Sequence, residues 1–504
     1  MKLRLTGGVR GVAGGVFSHL AFASKYLLSC AKRAVSGIKS MQKSERWSLF
    51  GLIIIFLILI FIKGREIYLS KTTTVPKSGG VYRELDIGQV DYLNPILAKT
   101  DTERSVSRLI YSGLVKVDQS GNIVPDLAQS WEVTPDGLTY TFYLASNIYF
   151  NNGAEFDATD VAATIEKIKD PQTKSPFREI WSDVIVTALD RETVSMELPY
   201  PYGPFIYNCI QGIVDSIDVE GSLVGSINGT GPYKIEKIAT DKSGKISQIE
   251  LTAGNSNYLN SVLISEVIID LGKEANGGLG SLEKYTAIFG GSPDDQNFIE
   301  QSFTINRYLA LIPNIRGEFL ADQINRDKIF KDGIFEQEMP LTLLIQDVEI
   351  QTSIADKLVE DLKVKNIKLE VLRLSGPEYI QKRQSREFDL LLTGFDFGYD
   401  RDPYSYWHTT QLDQENYAGY SDKSSDIALE DARMMQDAGE RNKRYDQFFD
   451  TMREKSLIKF FEPVECNFFV SGGLKGVEQI IASKPEDRFN SIGNWYLKEG
   501  RIKR

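Results

Sequence analysis

Cysteine and histidine are scarce, with three cysteines and two histidines, His19 and His408, among 504 residues. So few thiols exclude a disulfide-rich scaffold and a cysteine zinc cluster. Two histidines leave little material for a histidine metal site or a general-base imidazole. The chain also lacks a GxSxG elbow, an HExxH helix, a Walker A loop and a paired CxxC. Gly277, Gly278 and Gly280 make a glycine-rich stretch, but no Lys-Ser/Thr follows to turn it into a phosphate cradle. Carboxylates are abundant, yet no spacing singles out a hydrolytic pair. No catalytic residue, metal site or cofactor is therefore assigned, and the reading is a non-enzymatic protein.

Long apolar runs are absent with one exception. Residues 47–62 carry no charge and contain an unbroken aliphatic and aromatic stretch from Leu52 to Ile62. At the helical rise the run spans about 24 Å, a little short of a bilayer's hydrocarbon core. Trp47 suits one interface, and Lys63 and Arg65 can snorkel at the other. No small-x-small cleavage site follows, and no cysteine for lipid attachment, so the run is expected to be an uncleaved transmembrane anchor. Nine Lys/Arg precede it, which favours the N-terminus inside and the body on the extracytoplasmic side, periplasmic or cell-surface.

Acid dominates everywhere else. Residues 1–77 hold thirteen Lys/Arg and only Glu45 and Glu66 as acids, leaving 45 bases against 67 acids in the remainder. That balance argues against a nucleic-acid-binding body. Residues 1–46 form a basic cytoplasmic tail with Val16, Leu20, Leu27, Ala31, Val35 and Ile38 at near-helical spacing. Three readings stand for it: an amphipathic helix on the inner leaflet, a floppy tail, or translation starting at Met41. Residues 63–79, with their Thr, Pro, Ser and Gly, read as a linker.

From Gly80 onward strands and helices mix without internal repeats. Residues 131–133, 140–144 and 193–198 read as strands, with Asp136-Gly137 as a hairpin turn. Asp157 is placed to cap a helix whose apolar face is Val161, Ile165 and Ile168. Later, apolar strands at 341–345, 367–371 and 388–392 alternate with helical faces at 354–362 and 379–384. This β-α-β-α-β order implies a parallel sheet, and ligands in such sheets bind beyond the carboxyl ends of the strands. Residues 393–403, rich in aromatic rings and acids, follow the last strand and are the expected ligand loop. Asn228-Gly229-Thr230 matches a glycosylation sequon, a short and unspecific pattern.

One long segment is more specific. It runs through Pro125, Leu127, Ala128, Trp131, Asp136, Gly137, Tyr140, Phe142, Phe150, Gly153, Phe156, Asp157 and Val161. Leu93-Asn94-Pro95, the stretch from Leu109 to Val115, Gly229 to Lys234, Asp402-Pro403 and Asn416 to Tyr420 accompany it in order. Together they resemble the bacterial extracellular solute-binding proteins of family 5, the oligopeptide, dipeptide and nickel class, over about residues 80–504. Most of these aromatics are expected in the core and most of the glycines in turns.

The resemblance implies an α/β, two-lobed periplasmic-binding-protein-like fold of type II with an extra N-terminal subdomain, preceded here by one transmembrane helix. It implies lobe I at about 80–113, 224–308 and 470–504, the subdomain at about 114–223, and lobe II at about 309–469. It implies a peptide ligand held between the lobes, ABC permease and ATPase subunits as partners, and a monomeric body. The bilayer would be met through residues 47–62. The alternative is a membrane-anchored peptide sensor or signalling protein reusing the fold. Members usually carry more helices before the strand matching 341–345, so the second lobe is abridged here, with only 313–340 in that interval. Family peptide binders often hold the α-amino group with an acid just before the Asp-Pro pair. Asp400 is the best match, though one residue closer to Pro403 than usual, and Asp396 is the alternative. Phe395, Phe397, Tyr399 and Trp407 complete the expected ligand-binding set, while His408 reads as a packing residue.

Overall fold

Alternation of apolar residues with a period of two builds the sheets of this protein. The computed structural model describes residues 42–216, 227–254, 262–272 and 282–503. The basic segment 1–41 and the glycine-rich stretch 277–280 lie outside the described residues. The chain divides into two units. One is 76–498; the other joins the N-terminal segment through Val75 to the residues from Glu499 onward.

In the smaller unit, Lys43–Lys71 is a single helix of 29 residues, long and apolar enough to cross a membrane. None of its side chains is buried by the rest of the protein. It runs past the expected 47–62, so residues 63–71, anticipated as linker, continue the helix. Lys63 and Glu66, three apart on one face, pair at 2.7 Å there. The rest of that expected linker is corrected too. Thr72–Lys77 is a strand that pairs with Lys498–Lys503 in a two-stranded ribbon. Arg501 fastens it by donating from Nε to Thr72 Oγ1 at 2.8 Å and from Nη1 to Thr74 Oγ1 at 3.0 Å.

The larger unit contains three principal sheets. A seven-stranded sheet has the order Phe298–Glu300, Phe468–Ser471, Ala287–Phe289, Val81–Asp86, Glu266–Leu271, Ile246–Ala253, Tyr233–Thr240. Its central strand pairs in parallel with both neighbours and is buried along most of its length. A five-stranded sheet runs Ile367–Leu374, Met339–Gln346, Leu390–Asp396, Phe303–Pro313, Lys459–Cys466. The first three strands are parallel, as the β-α-β-α-β pattern requires, with Glu349–Lys363 and Gly376–Ser385 as the crossover helices. Phe303–Pro313 and Lys459–Cys466 join antiparallel and make the sheet mixed. Leu391 and Phe395 pack on one face of it, Leu390 and Leu392 on the other. A four-stranded antiparallel sheet, Ala128–Val133, Thr139–Leu144, Thr193–Glu197, Ile185–Ala188, carries the expected hairpin. Gly137 takes a φ of 71° at its turn, a conformation glycine adopts without strain. The helix Ala158–Lys169 is capped by Asp157 as read from sequence, and Val161, Ile165 and Ile168 are buried. The sequon residue Asn228 is buried, its amide oxygen accepting from Asn152 N–H at 2.9 Å, so it is not presented for modification.

Candidate functional site

The helix Asp101–Ile110 is fixed at its start by a capping box. Thr100 Oγ1 accepts from Glu103 N–H, and Glu103 Oε2 accepts from Thr100 N–H. Glu103 also accepts from the N–H groups of Asp91, Tyr92 and Lys99. Burial pushes its carboxyl up, and these four bonds more than reverse that, leaving the pKa below the ordinary value. So anchored, the helix presents Arg104, Ser107, Arg108 and then Tyr111 along one face into a cavity of about 150 Å³.

The other walls come from distant parts of the sequence. Phe177 and Trp181 arrive on the short helical turn around Arg178–Trp181, and Tyr207 and Gln211 from the turn at Phe205–Asn208 and the residues after it. Gly212 lies so close to Tyr111 that a Cβ there would sit 2.8 Å from the Tyr111 Cβ. Lys484 and Glu486 belong to the 3₁₀ segment around Pro485–Asn494. Asp487 pins that segment by accepting from Ser483 N–H at 2.9 Å and Lys484 N–H at 3.0 Å. Tyr399, from beyond the strand Leu390–Asp396, closes the cavity from the side of the five-stranded sheet. Its ring stacks on Tyr207 at 5.7 Å, and its hydroxyl donates to Asp487 Oδ1 at 2.7 Å.

Three of the lining side chains are cationic, Arg104, Arg108 and Lys484, against one acid, Glu486. Arg104 is engaged by Asp101 and by the Lys99 carbonyl. The Arg108 guanidinium donates one hydrogen bond, to Asn490 Oδ1 at 3.2 Å. The Lys484 ammonium has no ion pair among the described residues and lies 4.9 Å from the Tyr399 ring centroid. Glu486 is buried, its Oε1 lies 3.5 Å from Arg104, and burial raises its pKa above the ordinary value.

Of the expected ligand-binding residues, the structure brings Tyr399 to the cavity. Residues 393–396 of the anticipated loop belong to a strand. The Asp400 carboxylate is buried and turned to the helix Ala438–Glu454, accepting from Arg441 Nε at 2.7 Å and Tyr445 hydroxyl at 3.2 Å. Burial pushes its pKa up to about 6 even against Arg441. Asp396 is exposed and accepts from Arg307 Nη2 at 2.9 Å, and the same arginine reaches Asp101 at 3.0 Å. Asp402 pairs with Arg433. Phe395, Phe397 and Trp407 are buried in the core cluster on one face of the five-stranded sheet, Phe395 edge-on to Tyr406 at 4.7 Å. His408 stacks on Tyr404 at 4.1 Å and is bonded through both ring nitrogens, to Thr410 and Glu430. No group of three or more metal-ligating side chains occurs among the described residues.

The residues not anticipated are Arg104, Arg108, Trp181, Tyr207, Lys484 and Glu486. A signal existed for the first two, since arginines four apart share a helix face. The others had none, because they are assembled from three separate segments.

Residues 122–332 match the family model described as bacterial extracellular solute-binding proteins, family 5 middle. Over this stretch the chain is similar to that family. The nickel-binding periplasmic protein of Escherichia coli (strain K12) is 28% identical over 175 residues, 33% of this chain and 32% of that protein. The glutathione-binding protein GsiB of the same strain is 29% identical over 151 residues, 29% of this chain and 30% of that protein. The matched stretch thus spans about a third of each curated relative. The oligopeptide-binding protein AppA of Bacillus subtilis, solved with a nonapeptide, superposes with a TM-score of 0.63 at 18% identity. That superposition covers 84% of this chain and 100% of AppA. The fold is the two-lobed periplasmic-binding-protein fold.

Proposed function

We propose that this protein is a member of family 5 and the extracytoplasmic solute-binding subunit of an ABC importer. In this reading it is tethered by the helix Lys43–Lys71 and captures short peptides between two lobes for delivery to permease and ATPase subunits. Lobe I would comprise about 80–113, 224–308 and 470–504, the subdomain about 114–223, and lobe II about 309–469. The observation that carries the reading is the cavity itself. Its walls are drawn from the helix Asp101–Ile110, the subdomain region, the segment 484–486 and Tyr399, so lobe closure completes it. Aromatic rings with a few polar groups are what a binding site needs to hold a solute without transforming it. Relatives bearing the names of a glutathione and an oligopeptide binder support a peptide as the solute. Among the expected residues, Tyr399 is retained as a ligand contact, and Asp400, with Arg441 as its partner, as a support of the loop that carries it.

Native mass spectrometry of the full chain released from detergent micelles tests this. The expected result is a non-covalent adduct of peptide mass, or a rise in melting temperature when a casein digest is added. A protein that carries no adduct and is not stabilised by the digest would overturn the reading.

A further inference from the structure

Charge is segregated along this chain. Beyond residue 77 acids outnumber bases by 67 to 45, yet the smaller unit is basic where its helix meets its ribbon. Lys63, Arg65 and Lys71 lie on the last turns of the helix, and Arg501 and Lys503 on the strand Lys498–Lys503. All five are exposed. Against them stand Glu66, which pairs with Lys63, and Glu499. Arg65, Lys71, Arg501 and Lys503 have no ion pair among the described residues. Arg501 holds the two elements together. Its Nη2 donates to the Leu69 and Thr72 carbonyls at 3.3 and 3.1 Å, and its guanidinium lies 6.0 Å from the Tyr68 ring centroid. An arginine on the last carbonyls of a helix satisfies acceptors that the helix itself leaves open.

The height of this patch follows from helix geometry. From Ile62 the helix runs on to Lys71, about 13 Å at the helical rise. The apolar run of about 24 Å is shorter than a hydrocarbon core of about 30 Å, which draws its flanks inward by about 3 Å. Lys71 and the strand after it thus stand about 10 Å from the acyl chains, at the outer edge of the headgroup layer. A cation there is within about one Debye length of lipid phosphate. Exposed apolar side chains, Ile67, Tyr68 and Ile502, are interleaved with the cations. That mixture suits the interface, where rings and aliphatic groups meet the acyl boundary and cations meet phosphate. A second copy of the chain is a poor occupant, because the ribbon's edges carry Pro76, Lys77, Lys498 and Lys503, residues that discourage strand addition. Resting on the tethered reading above, we propose that Arg65, Lys71 and Lys503, with Arg501 fixing the ribbon, form a collar that binds anionic phospholipid headgroups. The leaflet is the one from which Lys71 emerges. A two-stranded ribbon is marginal in water by itself, so binding of its cations by lipid stabilises it.

Hydrogen exchange on the full chain in nanodiscs tests the collar. One set of discs is phosphatidylcholine, and the other is phosphatidylcholine mixed with phosphatidylglycerol. Amides of Thr72–Lys77 and Lys498–Lys503 should exchange about fivefold more slowly in the anionic discs, the effect of roughly one cation at a charged surface. High salt should abolish the difference. Lys71→Gln combined with Lys503→Gln, both on exposed side chains, should abolish it too, while Arg501 still holds the ribbon. Free glycerol phosphate added to phosphatidylcholine discs should give no protection. Equal exchange in the two kinds of disc would overturn the collar and leave the tether standing, as would a difference that survives the double substitution. Protection by free glycerol phosphate would overturn it in favour of a phosphate site. Protection that rises with the number of chains per disc would overturn it in favour of a second copy. A chain that elutes apart from both kinds of disc overturns the tether and the collar together.

Discussion

Arg441 is 1% exposed, and its guanidinium is held by Asp400 and by the Met435 carbonyl at 2.7 Å. A buried ion pair is costly to form but more costly to break on one side, because the remaining charge stays buried alone. Asp400→Ala is expected to destabilise the body by about 3–5 kcal/mol, read as a lowered urea midpoint. Cys209 and Cys466 show the opposite economy. Both are free and buried, and burial alone drives the Cys209 thiol upward, while burial first of all lifts Cys466 to about 11. A thiol so protonated and shielded reacts slowly. The native body should therefore leave both unlabelled by a thiol reagent at pH 7.5, and reduction should not change their mass. Rapid labelling of either without denaturant would contradict this.

At the scale of elements, caps and crossovers carry much of the order. The helix Lys423–Met434 starts at Asp422, whose Oδ1 accepts from Ser424 Oγ at 2.5 Å and from Ser425 N–H at 2.9 Å. The Ser424 hydroxyl, followed by the Ser425 N–H, lowers its pKa to about 2. A carboxyl whose folded pKa lies below its unfolded value stabilises the fold above the unfolded pKa and loses that contribution as pH falls through the folded one. Asp422→Ala should cost about 1 kcal/mol at pH 7, and the gap from wild type should close between about pH 4 and pH 2. Paired denaturation curves across that interval check the sign, and a gap that widens on acidification would refute it. The strand Leu390–Asp396 illustrates the crossovers: its two faces serve separate clusters, so its register is set on both sides at once.

For the whole molecule the open question of consequence is which side of the membrane holds the body. The helix Lys43–Lys71 presents its apolar residues outward with none buried, which is what a lipid-facing segment requires. If it spans with the preceding basic residues inside, Ser78 lies outside. A Ser78→Cys variant carrying Cys30→Ser should then react with a membrane-impermeant maleimide in intact cells, against a Cys209/Cys466 background that stays silent. Reaction only after lysis would place the body inside and remove the importer reading.

Local pattern alone determined a good part of this protein. The single apolar run, the Asp136-Gly137 hairpin, the Asp157 cap and the parallel β-α-β-α-β unit are written in neighbouring residues, because periods of 2 and 3.6 and the chemistry of turns act over a few positions. The resemblance to family 5, too, was legible, since the signature that carries it lies within one stretch of sequence. Tertiary structure decided the rest. Whether Asp400 is free for a ligand depends on Arg441, 41 positions away. The loop's aromatics were read as pocket walls, yet Phe395, Phe397 and Trp407 pack into core, because strand geometry carries residues 393–396 into the sheet. The segment 63–79 was read as linker from its composition, but its threonines found a partner strand more than 400 residues later in Arg501 and its neighbours. Glu486 and Lys484 meet Arg108 across about three-quarters of the sequence. A buried charge takes whichever partner the packed chain brings within reach, and that partner is fixed by topology rather than by spacing.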